Sequence, residues 1–579
     1  MSLLLKCINI KKEFKDRVIL DDVNFHIGSG DKIAIVGDNG AGKTTLANII
    51  TGNLNQDSGQ LLWHKKNIKI GYLHQSTYYT QGEFKDMVMS GDKIGIGDFF
   101  HTSKELGVEN IEDYNTIRLK NLSGGEKTKL ALAKIWAQNP ELLILDESTN
   151  HMDYDGVNWL ITNLNKYEGT MVIISHDRYF MDQVCNRIIE IEEGRANCYN
   201  GNYSVYYCEK KKRYESQLHQ YQVQEKNKDT IKREIKRLKE WSQKGHKDST
   251  KKEGYKEKYR VRAKKKDKQV KSKIKKIQKL SYEGIEKPKE EQKITFQFNN
   301  DSKSNKVLEA NNIEKIFDDK TLIEASSFYI KSREKIGLLG RNGCGKTTLI
   351  KAILNEIELD KGEMYLSPST KIAYLSQDVG EMDTDKTVLQ FFDIDNYQVR
   401  GVLQTLLANM GFTKKMVNTK IKNLSVGEKT RVKIAHMIMM ENNVLILDEP
   451  TNHLDLHSRE MLEKTLGDYQ GTIIIVSHDR YLLEKLCNKV LVFEEGKIYR
   501  KEDSYKDYML KEEKRKDGTN TQKEFEEKLI IIENRIVKIL GDLSGLNKEH
   551  EHYRMLDEEF TQLIQQKKDL MMIKNNQIN

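Results

Sequence analysis

Short, unbroken apolar runs recur along the chain. "LLILD" at 142–146 and "MVIIS" at 171–175 return as "VLILD" at 444–448 and "TIIIVS" at 472–477. Apolar positions without alternation fit strands of a parallel sheet covered on both faces. With helices expected between them, the predicted fold class is α/β. A different rhythm fills the middle. Ile231, Ile235, Leu238 and Trp241 step by +4, +3 and +3, and Val270, Ile274, Ile277 and Leu280 repeat those steps. This spacing is one face of a helix. Gly245 and Gly254 lie between the two sets as turn signals. The pattern predicts an antiparallel helical hairpin with its tip near residues 244–257. Its first helix, about residues 205–243, would extend roughly 58 Å. Near the C-terminus, Leu529, Ile532, Ile536 and Leu540, then Tyr553, Leu556, Phe560 and Leu563, flank "GDLSGLN" and predict a second helical hairpin.

The apolar runs belong to a longer repeat. "IAIVGDNGAGKTTL" at 33–46 returns as "IGLLGRNGCGKTTL" at 336–349, and "IISHDRYF" at 173–180 returns as "IVSHDRYL" at 475–482. Lys346 follows Lys43 by 303 positions, and Glu449 and His478 follow Glu147 and His176 by 302 each. So steady an offset means a duplicated domain. The expected division is a first domain at 1–203, a linker at 204–300, a second domain at 301–510 and an extension at 511–579.

Charge separates the linker from the domains. The 579 residues carry a net +9, whereas residues 204–280 hold 28 Lys and Arg against 10 Asp and Glu, a net of +18. The remainder is therefore 9 − 18 = −9. Two acidic bodies joined by a basic segment point to a polyanion as that segment's partner. The six cysteines show no paired or metal-type spacing, which fits reduced thiols in a cytoplasm. No apolar run of about 18 residues is present, and no signal peptide or membrane span is expected.

Each repeat contains a phosphate-binding pattern, GxxxxGK[ST], between an expected strand and an expected helix. The first runs Gly37, Asp38, Asn39, Gly40, Ala41, Gly42, Lys43, Thr44, with Thr45 following. The second runs Gly340, Arg341, Asn342, Gly343, Cys344, Gly345, Lys346, Thr347, with Thr348 following. Glycines let backbone N–H groups wrap phosphate oxygens, and the helix end adds positive potential. The lysine reaches the β- and γ-phosphates, and the threonine hydroxyl is a Mg²⁺ ligand. Asp146 and Asp448 end apolar strands, where a carboxylate holds Mg²⁺ through water; Glu147 and Glu449 follow as candidate catalytic bases.

"LSGGEKTKLALAKIW" at 122–136 and "LSVGEKTRVKIAHMI" at 424–438 resemble the signature of ABC ATPases, and "LDEPTNHLD" at 447–455 resembles the ABC-F family. The resemblance covers about residues 1–510. It implies two nucleotide-binding domains facing head to tail within one monomer, each ATP held between one phosphate loop and the opposite signature. Site one then pairs Lys43 and Thr44 with Ser425, Val426, Gly427 and Glu428. Site two pairs Lys346 and Thr347 with Ser123, Gly124, Gly125 and Glu126. Gln75 and Gln377 fall at the positions that approach Mg²⁺, and His176 and His478 at the switch histidine. Phe14 and Phe317 are candidates for stacking on adenine or for ordinary core packing. Two departures stand out: Val426 replaces a usual glycine, raising the expectation of weaker close approach at site one, and Ser148 stands where proline is common.

ABC-F proteins are soluble twin ATPases that work on ribosomes, so the resemblance implies ATP hydrolysis with Mg²⁺, a cytoplasmic location and the 70S ribosome as partner. The basic hairpin supplies the contact, through 23S rRNA and a P-site tRNA, held by electrostatics rather than base reading. Its candidate RNA-binding residues are Trp241, Lys244, Lys247, Lys251, Lys252, Tyr255 and Lys256 at the tip. Tyr259, Arg260, Arg262, Lys264, Lys265 and Lys266 follow on the second helix. Tyr255, Tyr259 and Trp241 are suited to stacking on bases, and Trp241 equally to packing in the helical seam. The long linker, the equal 48-residue spacing from Gln75 to Ser123 and from Gln377 to Ser425, and the C-terminal extension favour the antibiotic-resistance branch. In that branch the protein enters the tRNA exit site and clears drug from the peptidyl-transferase centre. A housekeeping translation factor, the ATPase subunit of a drug exporter and a DNA-associated ATPase are the alternatives.

Overall fold

The structure, a computed structural model, describes residues 2–15, 17–74, 124–149, 152–251, 256–282, 306–317, 320–376, 382, 385–394, 396–440, 442–512, 514–515, 535–536, 539 and 560–568. Two lobes of one architecture emerge. In the first, a six-stranded sheet runs in the order Ile70–Leu73, Leu142–Asp146, Thr170–Ile174, Lys32–Gly37, Arg187–Glu192, Arg195–Asn200. Its first five strands are parallel and the last pair is antiparallel. The second lobe repeats the order with Ile372–Leu375, Val444–Asp448, Thr472–Val476, Lys335–Leu339, Lys489–Glu494 and Lys497–Lys501. The unbroken apolar runs are the central strands, and every residue of Leu142–Asp146, Thr170–Ile174, Val444–Asp448 and Thr472–Val476 is buried. A three-stranded antiparallel sheet accompanies each lobe, built on Leu3–Phe14 in the first and Lys306–Phe317 in the second.

This topology places the chemistry. The strand Lys32–Gly37 lies centrally, between Thr170–Ile174 and Arg187–Glu192, and its C-terminal end opens into the first phosphate loop. Asp146 ends the strand beyond Thr170–Ile174. The carboxylates and the loop therefore meet at one edge of one sheet, where ligands of open α/β sheets bind.

The linker forms two long helices, Tyr203–Lys251 and Lys256–Tyr282. They are antiparallel: Ser242 Oγ donates to Asp267 Oδ1 at 2.7 Å, and Lys273 bonds Glu234 farther from the tip. The first helix has 49 residues rather than about 39. Gly245 alone does not end it, because one glycine in a helix costs only about 1 kcal/mol against the surrounding helix formers. Ile231, Ile235, Leu238, Ile274 and Ile277 are half-buried and Val270 is buried, forming the seam. Trp241 is not part of it: the ring is 65% exposed, with Lys266 Nζ 4.1 Å from its centroid.

At its base, the first hairpin helix touches both lobes. Ser204 donates to Asp182 through its backbone N–H at 2.8 Å and its hydroxyl at 2.6 Å. Tyr206 donates to Glu190 of the first sheet at 2.7 Å. Tyr203 donates to Glu460 of the second lobe at 3.3 Å and packs edge-on against Tyr481. Of the C-terminal extension, residues 560–568 are helical; the rest of the expected second hairpin lies largely outside the described residues.

Candidate functional site: two cavities shared between the lobes

Glycine geometry shapes each phosphate loop. Gly37 has φ +152°, and a Cβ there would lie 2.5 Å from the Ile191 carbonyl oxygen. Gly42 has φ +100° and caps the helix Lys43–Ile50, whose N-terminus faces the loop. Lys43 folds over its own loop, donating to the carbonyls of Gly37 at 2.8 Å and Asp38 at 3.1 Å. Lys346 does the same with Gly340 at 2.8 Å and Arg341 at 2.9 Å. Both ammonium groups thus lie across the cradle that the loop forms.

Site one is a cavity of about 540 Å³ lined by Phe14, Lys43, Thr44, Asp146, Glu147 and His176 of the first lobe. His453, Leu454 and Arg459 of the second lobe complete its wall. Site two, about 520 Å³, is lined by Lys346, Thr347, Asp448, Glu449 and His478, with Thr149, Met152 and Asp177 coming from the first lobe. Thr45 and Thr348 also line their respective cavities. Each cavity therefore needs both lobes. Phe14 and Phe317 are 46% and 44% exposed, which removes the core-packing alternative; Phe14 lines site one, and Phe317 is not among the residues lining site two.

The lobes join through the loops that follow Glu147 and Glu449. Asn39 N–H donates to Asp455 Oδ2 at 3.0 Å, and its side-chain amide donates to the His453 carbonyl at 3.0 Å. In the mirror contact, Arg341 pairs with Asp155 at 3.0 Å, and Asn342 N–H reaches Asp153 Oδ2 at 3.5 Å. The phosphate-loop and signature motifs do not single out Asp153 and Asp455. Their signal was present, since both stand six positions after the glutamate in the repeated "NHMD" and "NHLD".

The second signature helix, Val426–Met439, opens with a capping box: Ser425 Oγ accepts from Glu428 N–H, and the Glu428 carboxylate accepts from Ser425 N–H at 2.8 Å. Its close approach occurs at Gly427, where a Cβ would lie 2.7 Å from the His453 oxygen that Asn39 also contacts. Val426 is 49% exposed. The close approach at Gly427 is to a residue of its own lobe, and Ser425, Val426, Gly427 and Glu428 are not among the residues lining site one; the second lobe reaches that cavity with His453, Leu454 and Arg459 instead. Gly124, Gly125 and Glu126 begin the helix Gly124–Ala137; Ser123, Gln75 and Gln377 lie outside the described residues.

The carboxylates are unusual in backbone and in charge. Glu147 and Glu449 have φ of 51° and 50°, a left-handed conformation disfavoured for residues with a side chain. Their N–H groups bond Ile174 and Val476 carbonyls at 2.8 Å, which holds the turn. Burial pushes Glu147 up to about 7 and Glu449 up to about 8. A histidine Nε2 lies 3.5 Å from each glutamate Oε1, His176 at Glu147 and His478 at Glu449. Burial lowers both histidines, His478 to about 4, so both are neutral at pH 7. A poised carboxylate beside a neutral imidazole is suited to orienting and deprotonating an attacking water.

Asp146 and Asp448 are also raised by burial. Asp146 Oδ1 is buried without a hydrogen-bond partner, and Thr347 Oγ1 lies 3.5 Å from Asp448 Oδ2. Hard oxygen donors from a hydroxyl and a carboxylate fit Mg²⁺. Thr44 with Asp146, and Thr347 with Asp448, would hold it, and the ion would neutralise charge on the phosphates.

On the hairpin, Lys244, Lys247, Arg262, Lys264 and Lys265 are exposed. A groove of about 630 Å³ runs past Trp241, Lys266, Lys273 and Lys276. Lys252 and Tyr255 lie outside the described residues, as do the side chains of Lys251, Lys256, Tyr259 and Arg260.

Comparison with known proteins adds to this picture. Residues 20–150 and 323–452 each match the family described as ABC transporter, and residues 189–298 match a second family of the same description. The ribosome protection protein VmlR of Bacillus subtilis is 37% identical over 98% of this chain and 99% of its own length. ABC transporter F family member 5 of Arabidopsis thaliana is 33% identical over 91% of this chain and 79% of its own. Among solved structures, the archaeal ribosome recycling factor aABCE1 aligns with a TM-score of 0.58 at 18% identity, covering 85% of this chain and 89% of that one. RNase-L inhibitor aligns at 0.57 with 18% identity and the same coverage.

Proposed function

The chain belongs to the ABC-F family of ATPases, and from that premise we propose that it is a ribosome protection factor: it binds the 70S ribosome in its ATP form and displaces antibiotics from the peptidyl-transferase centre. The observation that carries this reading is the end-to-end likeness to VmlR, at 37% identity. The hairpin supports it physically. Residues 241–280 carry 17 basic and 4 acidic side chains, a net +13 on a slender rod suited to a phosphate-lined cavity.

In the proposed cycle, ATP fills both shared cavities and holds the lobes together. The closed form enters the tRNA exit site, and the hairpin meets 23S rRNA and the P-site tRNA. Glu147 and Glu449 accept the proton of the attacking water, with Lys43 and Lys346 stabilising charge on the transferred phosphoryl group. Loss of the γ-phosphate separates the lobes and frees the protein. Mg²⁺ at the Thr–Asp pairs and a cytoplasmic location belong to the same reading. No described helix is long and apolar enough to cross a membrane.

The test is to replace Glu147 and Glu449 with Gln, add ATP and identify what co-purifies. Trapped 70S particles are expected, with drug protection lost when residues 244–257 are shortened while ATPase activity stays. Recovery of DNA or a membrane complex in place of ribosomes would overturn the reading. A translation factor acting on ribosome and tRNA state without drug is the second reading, favoured by the 33% identity with an F family member from a plant. Unchanged drug susceptibility on expression, with ribosome binding intact, would select it.

A further inference from the structure

The two lobes repeat one another closely, so a charged residue in one cavity with no counterpart in the other is informative. Arg459 is such a residue. It lies on the helix Leu456–Asp468, and the duplicated position, 302 residues earlier, is Val157 on Tyr154–Lys166. Val157 is 6% exposed and belongs to the apolar core of the first lobe. The exchange is therefore of a cation for a packed methyl pair.

Arg459 is held in place. Its Nε donates to the Leu454 carbonyl at 3.1 Å, and Nη1 donates to Asp479 Oδ2 at 3.2 Å, with the side chain 11% exposed. Asp479 is in turn fixed by Arg178 of the first lobe at 3.1 Å. From this position Arg459 lines site one beside Leu454 and His453, facing Lys43, Glu147 and His176. It also lines site two, there as a residue of the same lobe as Glu449 and His478. Glu147 shares site one with Lys43, Asp146 and, from the opposite lobe, Arg459. Glu449 shares site two with Lys346, Asp448 and Asp479, and with Arg459 from its own lobe.

We propose that Arg459 is a charge-stabilising residue supplied in trans to site one, whereas site two meets it only from its own lobe, so that the two ATP sites are unequal and chemistry at site one depends on lobe closure through a guanidinium. Hydrolysis spreads negative charge over the phosphoryl oxygens, and a fixed cation across the interface favours that state over the ground state. Separation of the lobes withdraws His453, Leu454 and Arg459 together, which switches the site off. Site two is closed by Thr149, Met152 and Asp177, and its wall receives no arginine from the first lobe among the described residues. This inference concerns the ATPase cycle and is independent of which particle the protein binds.

The experiment uses the full chain and single-turnover phosphate release, which reads the chemical step even when later cycling stalls. E449Q isolates site one and E147Q isolates site two. In the E449Q background, R459Q is expected to slow phosphate release at saturating ATP by about tenfold or more, a modest fraction of what an arginine in trans supplies elsewhere. R459K should restore part of that rate, because it keeps the charge. The loss in the E147Q background is expected to be at least about fivefold smaller. Equal losses in the two backgrounds, or a loss that Lys does not relieve, would overturn the proposal, since either result assigns Arg459 to the interface alone. A loss seen only as weaker ATP affinity, with the saturated rate kept, would also overturn it.

Discussion

Arg178 and Glu463 stand 285 positions apart and meet guanidinium to carboxylate across the lobe interface, their side chains 5% and 2% exposed. Asp479, Arg459 and Lys485 extend the pair into a network at the seam between the cavities. Two buried charges are costly unless both are matched, and removing one partner strands the other. Glu463→Ala leaves Arg178 its bond to Asp479 and is therefore expected to destabilise the closed chain by about 1.5–3 kcal/mol, read as a lower thermal unfolding midpoint. An unchanged midpoint would show that the network does not bear on stability.

The contact between Asn39 and Asp455 predicts a binding defect rather than a chemical one. A hydrogen bond to a charged group contributes about 1.5–3 kcal/mol, so Asp455→Ala should raise the ATP concentration for half-saturation of site one roughly tenfold. Phosphate release in the E449Q background measures it. Asp153→Ala is the companion at site two, where the contact is longer at 3.5 Å and the effect should be smaller.

Acid sensitivity follows from the glutamates. In the proposed chemistry the ionised carboxylate is the working form, and burial raises Glu147 to about 7 and Glu449 to about 8. Hydrolysis should rise with pH between 6 and 9, half-complete near 7 at site one and near 8 at site two. Stability runs the other way. The fold favours the protonated carboxyls, so their contribution is complete below the ordinary glutamate value of 4.5 and is lost as pH passes through 7 and 8. A flat activity profile for the E449Q and E147Q variants over that range would refute the assignment.

Removal of either glutamate carboxylate should itself be severe. Glu147→Gln and Glu449→Gln together are expected to lower turnover by about 10²–10⁴-fold while leaving ATP binding intact, as measured by phosphate release and equilibrium binding.

Much of the fold was legible because it is local. Unbroken apolar runs became central strands, and the GxxxxGK[ST] loops sit at their ends. The hairpin seam was legible too, yet Trp241 continued its +3 step and stands outside the seam, because periodicity gives a direction and not a partner. What the chain could not disclose is its pairing across the lobes. Arg178 finds Glu463, whose duplicated position is Ile161, and Arg480 finds Asn158 at 2.7 Å, with its guanidinium 3.5 Å from the centre of the Tyr179 ring. A duplicated domain repeats its fold, but the contacts between copies have diverged, and no spacing records them.

The root of the hairpin has a mechanical consequence. Tyr203, Ser204 and Tyr206 anchor the first helix to both lobes within its opening turns, and 49 residues project from there. Lys210 also bonds Glu190, so at 1.5 Å per residue the anchored stretch from Tyr203 to Lys210 spans about 10 Å and the whole rod about 74 Å. An angular change that displaces the root by about 1 Å therefore sweeps the far end through about 7 Å. If the lobes part as in the proposed cycle and the Tyr203–Glu460 bond breaks, a root shift of that size would carry a distant contact by about the width of a nucleobase with no rearrangement inside the rod.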